Sequence, residues 1–287
     1  MQIDRENTGG RGRETRVSAT IVTYNNADKI LSAVGTLLEH TRGVELTVYL
    51  SDNNSTDSTV RLVRQHYPQV VILQNGGNEG FGWGHNQVLD LLRSDYHAIV
   101  NPDIILDCDC ISELCGYMDA HPDVGMITPK IRNLDGSEQH LPKLSPTLKY
   151  LCGGRYEDVA AFFKRWRTEY TMRDKQLTDP VDIEFCTGCF MLIRTELFRQ
   201  IGGFDCRYFM YFEDVDLTRE VLAQGQRVQF YPGCWVYHEW ERAAAQSFKY
   251  LWIEVVSMCK FFDKWGRYRR GGKPKKPAKH TPPPQRI

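Results

Sequence analysis

The residues best suited to chemistry lie at Phe209-Met210-Tyr211-Phe212-Glu213-Asp214-Val215-Asp216-Leu217, where three carboxylates fall within four residues behind aromatic and apolar side chains. Apolar surroundings raise the pKa of a carboxyl and make its ionised form a better proton acceptor. The same pattern also describes an acidic first helical turn, which the helix dipole favours. Other polar clusters bear on the choice. Asp52-Asn53-Asn54-Ser55, with Asp57, offers fixed donors and acceptors that suit the imide edge and ribose of a pyrimidine nucleotide. Asp52 is expected to function there, while Ser55 and Asp57 suffice as turn and cap. In Asn101-Pro102-Asp103 the proline limits the backbone, and Asp103 offers a hard oxygen ligand for Mg²⁺ or Mn²⁺ against a diphosphate. Asp107 and Asp109 are accounted for by a helix N-terminus. Gly80-Phe81-Gly82-Trp83-Gly84, bracketed by Asn78 and Asn86, lacks dinucleotide-binding spacing and follows a third strand. Its small residues would still let amides approach phosphate. His238 ends a strand; it is either a surface residue or one that reaches a metal or diphosphate.

These residues need a frame. Val17–Thr23, Leu46–Leu50, Val70–Leu73 and Ala98–Val100 read as strands. Helices are expected over Ala27–Glu39, from a Ser55 or Thr56 cap to Tyr67, from Gly80–Gly84 through Leu92, and over Cys110–Ala120, followed by a strand at Val124–Thr128. Strand-helix alternation of this kind predicts a Rossmann-like, mostly parallel α/β sheet with helices on both faces. Thr23-Tyr24-Asn25-Asn26, the Asp52 cluster and the Asp103 cluster each follow a strand's C-terminal end, the edge where open α/β sheets bind ligands. The second half is less regular. Asn133–Gly136 reads as a hairpin turn, 142–179 as an insertion with a weak helix near Ala160–Tyr170, and Val181–Arg194 as strand broken at Thr187-Gly188. Short helices at Thr195–Ile201 and Asp214–Ala223 and strands at Arg227–Tyr231 and Trp235–His238 follow. Ser247–Trp265 reads as an amphipathic helix carrying Trp252 and Trp265.

The 287 residues, 41% hydrophobic and 25% charged, describe a soluble globular protein of one large or two small domains. Zero net charge hides an uneven distribution. Residues 266–287 hold eight of the 36 Lys and Arg and no acid, which leaves 28 against 36 acids, a net of −8, before them. That Pro-rich basic tail is expected to be disordered, either plainly solvated or attracted to an anionic membrane surface or nucleic acid. Nine cysteines without regular spacing, including Cys186-x-x-Cys189, suggest reduced buried thiols in a cytosolic protein rather than a zinc site. Residues 1–16 are polar and lack a signal peptide's apolar run, and no apolar stretch is long enough to span a membrane.

Taken together the motifs identify a family. The chain resembles the inverting family-2 glycosyltransferases of the GT-A fold, and within them the bacterial rhamnosyltransferases. The resemblance runs in order through Ile21-Val22-Thr23-Tyr24-Asn25, Ser51–Asp57, Asn78-Glu79-Gly80-Phe81-Gly82, Asn101-Pro102-Asp103, Thr187-Gly188-Cys189-Phe190, Ile201–Asp205 and Phe209–Leu217. It implies a nucleotide-sugar-binding half at 17–128 and an acceptor-binding, catalytic half at 129–245. The remaining parts are the 142–179 insertion, the helix at 246–265 and the tail. Thr23, Tyr24, Asn25, Asp52, Asn53, Asn78, Gly80, Asn101 and Asp103 would contact the nucleotide sugar. Asp103 would hold the metal, joined by His238; Asn101 stands where the family's first metal-site acid is found. Asp214 would be the general base, with Glu213 orienting the acceptor and Thr187 and Gly188 lining its side. Asp216 is left to face away and serve the helix N-terminus.

The resemblance further implies dTDP-L-rhamnose as donor, with a UDP-hexose as the competing choice, and a polyprenyl-diphosphate-linked saccharide as acceptor. No nucleic-acid partner is expected. The C-terminal helix and tail would place the protein at the cytoplasmic face of the membrane, or the helix would form a homodimer. A non-catalytic saccharide-binding relative is disfavoured because Asp103 and Asp214 are both present. A nucleotidyltransferase or dehydrogenase is disfavoured by Tyr24-Asn25-Asn26-Ala27, where a Gly-rich loop would be needed.

Overall fold

The computed structural model describes residues 13–239 and 248–266. The expected disordered tail and most of the expected flexible N-terminus lie outside them. Among the described residues nine strands form one sheet, in the order β3-β2-β1-β4-β8-β6-β9-β5, with β7 (Val181–Asp182) paired to β9. The strands β1 (Arg16–Thr23), β2 (Glu45–Asp52), β3 (Val71–Gln74) and β4 (Tyr96–Val100) are parallel, as the alternation predicts. Beyond β4 the sheet is mixed. β8 (Phe190–Arg194) runs antiparallel to both β4 and β6 (Val124–Arg132), and β9 (Arg227–His238) runs parallel to β6. The two segments expected at Arg227–Tyr231 and Trp235–His238 form this single strand, which absorbs an irregularity where Pro129 pairs Tyr231 and Lys130 pairs Trp235.

Both faces of the sheet are buried. Alternate residues explain this: Tyr96, Ala98 and Val100 of β4 join the core formed with α1 (Ile30–His40) and α4 (Cys110–Ala120). Ile99 faces the opposite core, with α7 (Thr195–Ile201) and α8 (Glu213–Ala223). The helix α2 (Thr59–His66) starts later than a Ser55 or Thr56 cap implies. The Asp57 carboxylate accepts the Thr59 N–H at 2.9 Å, while Ser55 and Thr56 bond to Asn25. The expected helix through Leu92 is broken into α3 (Phe81–Asn86) and a short 3₁₀ turn.

The 142–179 segment holds two helices, α5 (Leu148–Arg155) and the expected α6 (Ala161–Tyr170). They approach closely at Gly153, where a Cβ would crowd Trp166. The last helix, α9 (Phe248–Trp265), packs Phe261 and Trp265 into a third apolar cluster with Tyr208, Phe212 and Val215. Trp265 is therefore core, not an outward anchor, whereas Trp252 is exposed. No helix among the described residues is long and apolar enough to cross a membrane. The cysteines are free, and Cys186 and Cys189 are buried.

Candidate active site

Strand register gathers the polar clusters at one edge. Thr23 pairs with Asp52, and Ile21 with Val100, so Thr23, Asp52 and Asn101 leave the sheet side by side. Because β8 is antiparallel, its beginning meets the end of β4: Val100 pairs with Phe190, and the Asn101 N–H donates to the Cys189 carbonyl at 2.9 Å. This antiparallel insertion carries Thr187-Gly188 to the edge that holds Asp103. The strand β5 (Ile104–Ile105) pairs Ile104 with His238, which sets His238 beside Asp103.

The nucleotide-side residues are bound tightly to one another. The buried Asp52 carboxylate accepts the Ser55 N–H at 3.1 Å. Asn53 donates to the Gly80 carbonyl at 3.1 Å and lies 3.4 Å from Asn78 Oδ1, which accepts the Gly80 N–H at 3.2 Å. Asn25, in the left-handed region at φ 57°, accepts the Thr56 N–H at 2.8 Å. Thr23 Oγ1 donates to Asn26 Oδ1 at 3.0 Å, and Tyr24 projects outward, 46% exposed. The Gly80 N–H and carbonyl and the Asn78 Oδ1 are thus engaged in this network. The Gly80 amide is not free to approach phosphate, and the Phe81 N–H donates to the Phe209 carbonyl at 3.0 Å.

That last bond joins the loop to the segment before the acid cluster. Gly80 has φ +104°, and a Cβ on it would collide with the Phe209 carbonyl oxygen. Tyr211 and Phe212 both sit at φ 67°, a conformation that non-glycine residues adopt at a cost of about 1–3 kcal/mol each. α9 holds this segment in place: Ser257 Oγ donates to the Met210 carbonyl at 2.9 Å, and Lys260 reaches the Arg207 carbonyl.

The three acids then separate by environment. Asp214 Oδ2 accepts the Gly188 N–H at 3.1 Å, and Oδ1 accepts the Val215 N–H at 2.8 Å. Burial raises its pKa, against the opposing charge of Lys143. Glu213 is buried, and its Oε2 lacks a hydrogen-bond partner among the described residues. Burial, then the Asp214 charge, hold its carboxyl well above the usual range. Asp216 stands in the first turn of α8 and faces away from Asp214, as expected, but its carboxylate also has partners of its own. It is buried against α9, accepting from Lys264 Nζ at 2.6 Å, Trp265 Nε1 at 2.7 Å and Tyr208 at 3.2 Å. Its orientation follows from spacing: two residues after Asp214 on a helix, it points to a different face.

Lys143, missed in the sequence, belongs to this site. Its ammonium lies 3.4 Å from Thr187 Oγ1 and 4.4 Å over the Phe185 ring. Burial lowers its pKa to about 8, offset by attraction to Asp214. A lone lysine inside the irregular 142–179 insertion gives no signal; the bridge between Lys143 and Phe185 brings it in.

Asp103 and His238 form the other pole. His238 Nε2 is 3.4 Å from Asp103 Oδ1, a buried oxygen without a hydrogen-bond partner among the described residues. Gln139 Nε2 donates to the Asn133 side chain and the His238 carbonyl, each at 2.8 Å, which turns its Oε1 to His238 Nδ1 at 3.1 Å. Nδ1 must then carry the proton, and a neutral ring presents its Nε2 lone pair toward Asp103. In that form the pair would suit a shared cation, with the second-shell orientation typical of a metal-bound histidine; a doubly protonated ring would close an ion pair with Asp103 instead. No group of three or more His, Cys, Asp or Glu fit to hold a metal occurs among the described residues.

Comparison with known proteins agrees with this architecture. The mannosyltransferase PcManGT of Pyrobaculum calidifontis, solved with GDP-Man and Mn²⁺, superposes with a TM-score of 0.57 at 16% identity, over 80% of this chain and 58% of that one. The fold is thus that of the GT-A glycosyltransferases. Residues 15–252 match the family model "Glycosyltransferase like family 2", and the chain belongs to that family. It is 33% identical over 208 residues to the N-acetylglucosaminyl-diphospho-decaprenol L-rhamnosyltransferase of Mycobacterium tuberculosis, covering 67% of this chain and 66% of the relative. It is 26% identical over 198 residues to the Escherichia coli rhamnosyltransferase WbbL, covering 65% and 70%. The match therefore spans just under two-thirds of the mycobacterial relative's length.

Proposed function

We propose that this protein transfers L-rhamnose from dTDP-L-rhamnose to a hydroxyl of a saccharide carried on a polyprenyl diphosphate, inverting the anomeric centre. The observation that carries the reading is the placement of Asp214. Its carboxylate is held by the Gly188 N–H at the sheet edge that also bears Asp52 and Asp103. The names of the mycobacterial and E. coli relatives support the choice of rhamnose, and the decaprenol of the former supports a lipid-linked acceptor. Such an acceptor places the protein at the inner face of the membrane.

In this mechanism Asp214 takes the proton of the acceptor hydroxyl. The oxygen attacks the anomeric carbon opposite the leaving group, and the bond to the nucleoside diphosphate breaks with its electron pair on the diphosphate oxygen. Neutral Glu213 donates a hydrogen bond to an acceptor hydroxyl, and Lys143 keeps Asp214 ionised. Asp52, Asn53, Thr23 and Tyr24 bind the base and ribose, with Asn25, Asn78, Gly80 and Asn101 shaping the donor loop around them. Asp103 and His238 would hold a Mg²⁺ or Mn²⁺ ion, which when bound neutralises diphosphate charge.

Calorimetry of dTDP, UDP and GDP, each with and without Mn²⁺, tests the reading. We expect dTDP to bind tightest and Mn²⁺ to strengthen it, with His238→Ala weakening the Mn²⁺ effect about 10- to 100-fold. Tighter UDP or GDP binding would overturn the donor, and Mn²⁺-independent binding would overturn the metal role.

A further inference from the structure

Resting on the lipid-linked acceptor proposed above, we infer that the α5–α6 hairpin is the surface that docks on an anionic bilayer. The hairpin exposes large apolar side chains that nothing in the fold covers among the described residues: Leu148 (64% exposed), Val159 (72%), Phe162 (51%) and Tyr156 (47%). Two of them, Tyr156 and Phe162, belong to a run of ring contacts. Tyr156 meets Phe163 at 5.4 Å between ring centroids, Phe163 meets Phe162 at 4.1 Å, and Phe162 meets Trp166 at 5.1 Å. Apolar and aromatic side chains interleaved with basic ones are the composition of an interfacial helix. Here Lys149, Lys164 and Arg165 are exposed on the same two helices.

Charge selects the bilayer over a second copy of the chain. Residues 148–170 carry five Lys and Arg against three acids, a net of +2, within the acidic body at −8. A basic patch on an acidic body is attracted to anionic headgroups. It does not complement itself.

Position connects the patch with the site. The base of the hairpin is tied to the acceptor side of the cleft, where the Leu144 N–H donates to the Tyr170 carbonyl at 3.0 Å and the adjoining Lys143 reaches Thr187. Leu151 of α5 packs against the cluster that holds α9 to Phe212 and Val215. The hairpin is thus fastened to the elements around Asp214, so docking it would bring a headgroup-borne saccharide to the acceptor side. Phe248 and Trp252 of α9 are exposed as well.

The test is vesicle flotation of the full chain, with phosphatidylcholine alone or mixed with phosphatidylglycerol. Compared with it are a Leu148→Ser/Val159→Ser/Phe162→Ser variant and a Lys164→Glu/Arg165→Glu variant. Transfer to a short-chain, water-soluble acceptor reports that each variant is folded. We expect the wild type to float with the anionic vesicles. Each variant should lose about tenfold or more of its bound fraction while keeping transfer to the soluble acceptor. Variants that float like the wild type overturn the hairpin as the docking surface and leave the lipid-linked acceptor standing. A wild type that does not float overturns the membrane reading itself. Variants that change only the sedimentation coefficient assign the patch to self-association and overturn the proposal.

Discussion

Replacing Lys264 with methionine removes a fully buried ammonium that meets three carboxylates: Asp216 at 2.6 Å, Glu220 at 2.8 Å and Asp205 at 3.1 Å. Breaking a buried ion pair from one side costs about 3–5 kcal/mol when the remaining charge is stranded. The local structure lowers that figure. Asp205 keeps Arg207, and Glu220 is partly exposed. The loss therefore falls on Asp216, which retains only the neutral donors Trp265 and Tyr208. Burial, outweighing Lys264, already raises the Asp216 carboxyl to about 6, so neutralising it at pH 7 costs about 1.4 kcal/mol. With the lost hydrogen bonds, we expect Lys264→Met to destabilise by about 2–3 kcal/mol in urea unfolding. The pH dependence has a definite sign. A carboxyl whose folded pKa exceeds its unfolded value adds stability as pH falls through the folded pKa. Without Lys264 that pKa rises above 6, so the variant starts to gain stability at a higher pH than the wild type. The deficit should be wider at pH 8 than at pH 6. A deficit below about 0.5 kcal/mol, or one constant across that range, would refute the reasoning.

Substitutions at two further positions probe the site. Lys143→Met removes the charge that opposes the raised pKa of Asp214, so the acid limb of the pH–rate profile should move up by about one unit; Lys143→Arg should restore it, and an unmoved limb would remove Lys143 from the mechanism. Gly80→Ala forces a Cβ against the Phe209 carbonyl at φ +104° and should cost about 1–3 kcal/mol in thermal or urea unfolding. It should also slow transfer about 100-fold by displacing the loop before Asp214; wild-type kinetics would show the contact to be dispensable.

The parallel half of the sheet was legible because each strand is a short apolar-rich run closed by polar residues, and β1 through β4 repeat that pattern. The convergence of Thr23, Asp52 and Asn101 followed from it. What lay beyond depended on pairings between distant segments. Nothing local marks β8 as antiparallel, yet that direction carries Gly188 to Asp214. The α5 helix was hidden by Gly153-Gly154, which lower its propensity while permitting the close approach of Trp166. Asp216 read as a helix-terminal acid because its partners Lys264 and Trp265 lie nearly fifty residues away. Lys143 entered the site through one bridge to Phe185 and had no sequence signature.

The central claim is that Asp214 removes the acceptor proton. Its most direct test is single-turnover transfer by Asp214→Asn, an isosteric change that should keep the Gly188 contact through the amide oxygen. The account predicts a loss of about 10²–10⁴-fold in rate, the contribution typical of a general base, with dTDP affinity unchanged. Near-wild-type transfer by this variant would contradict it.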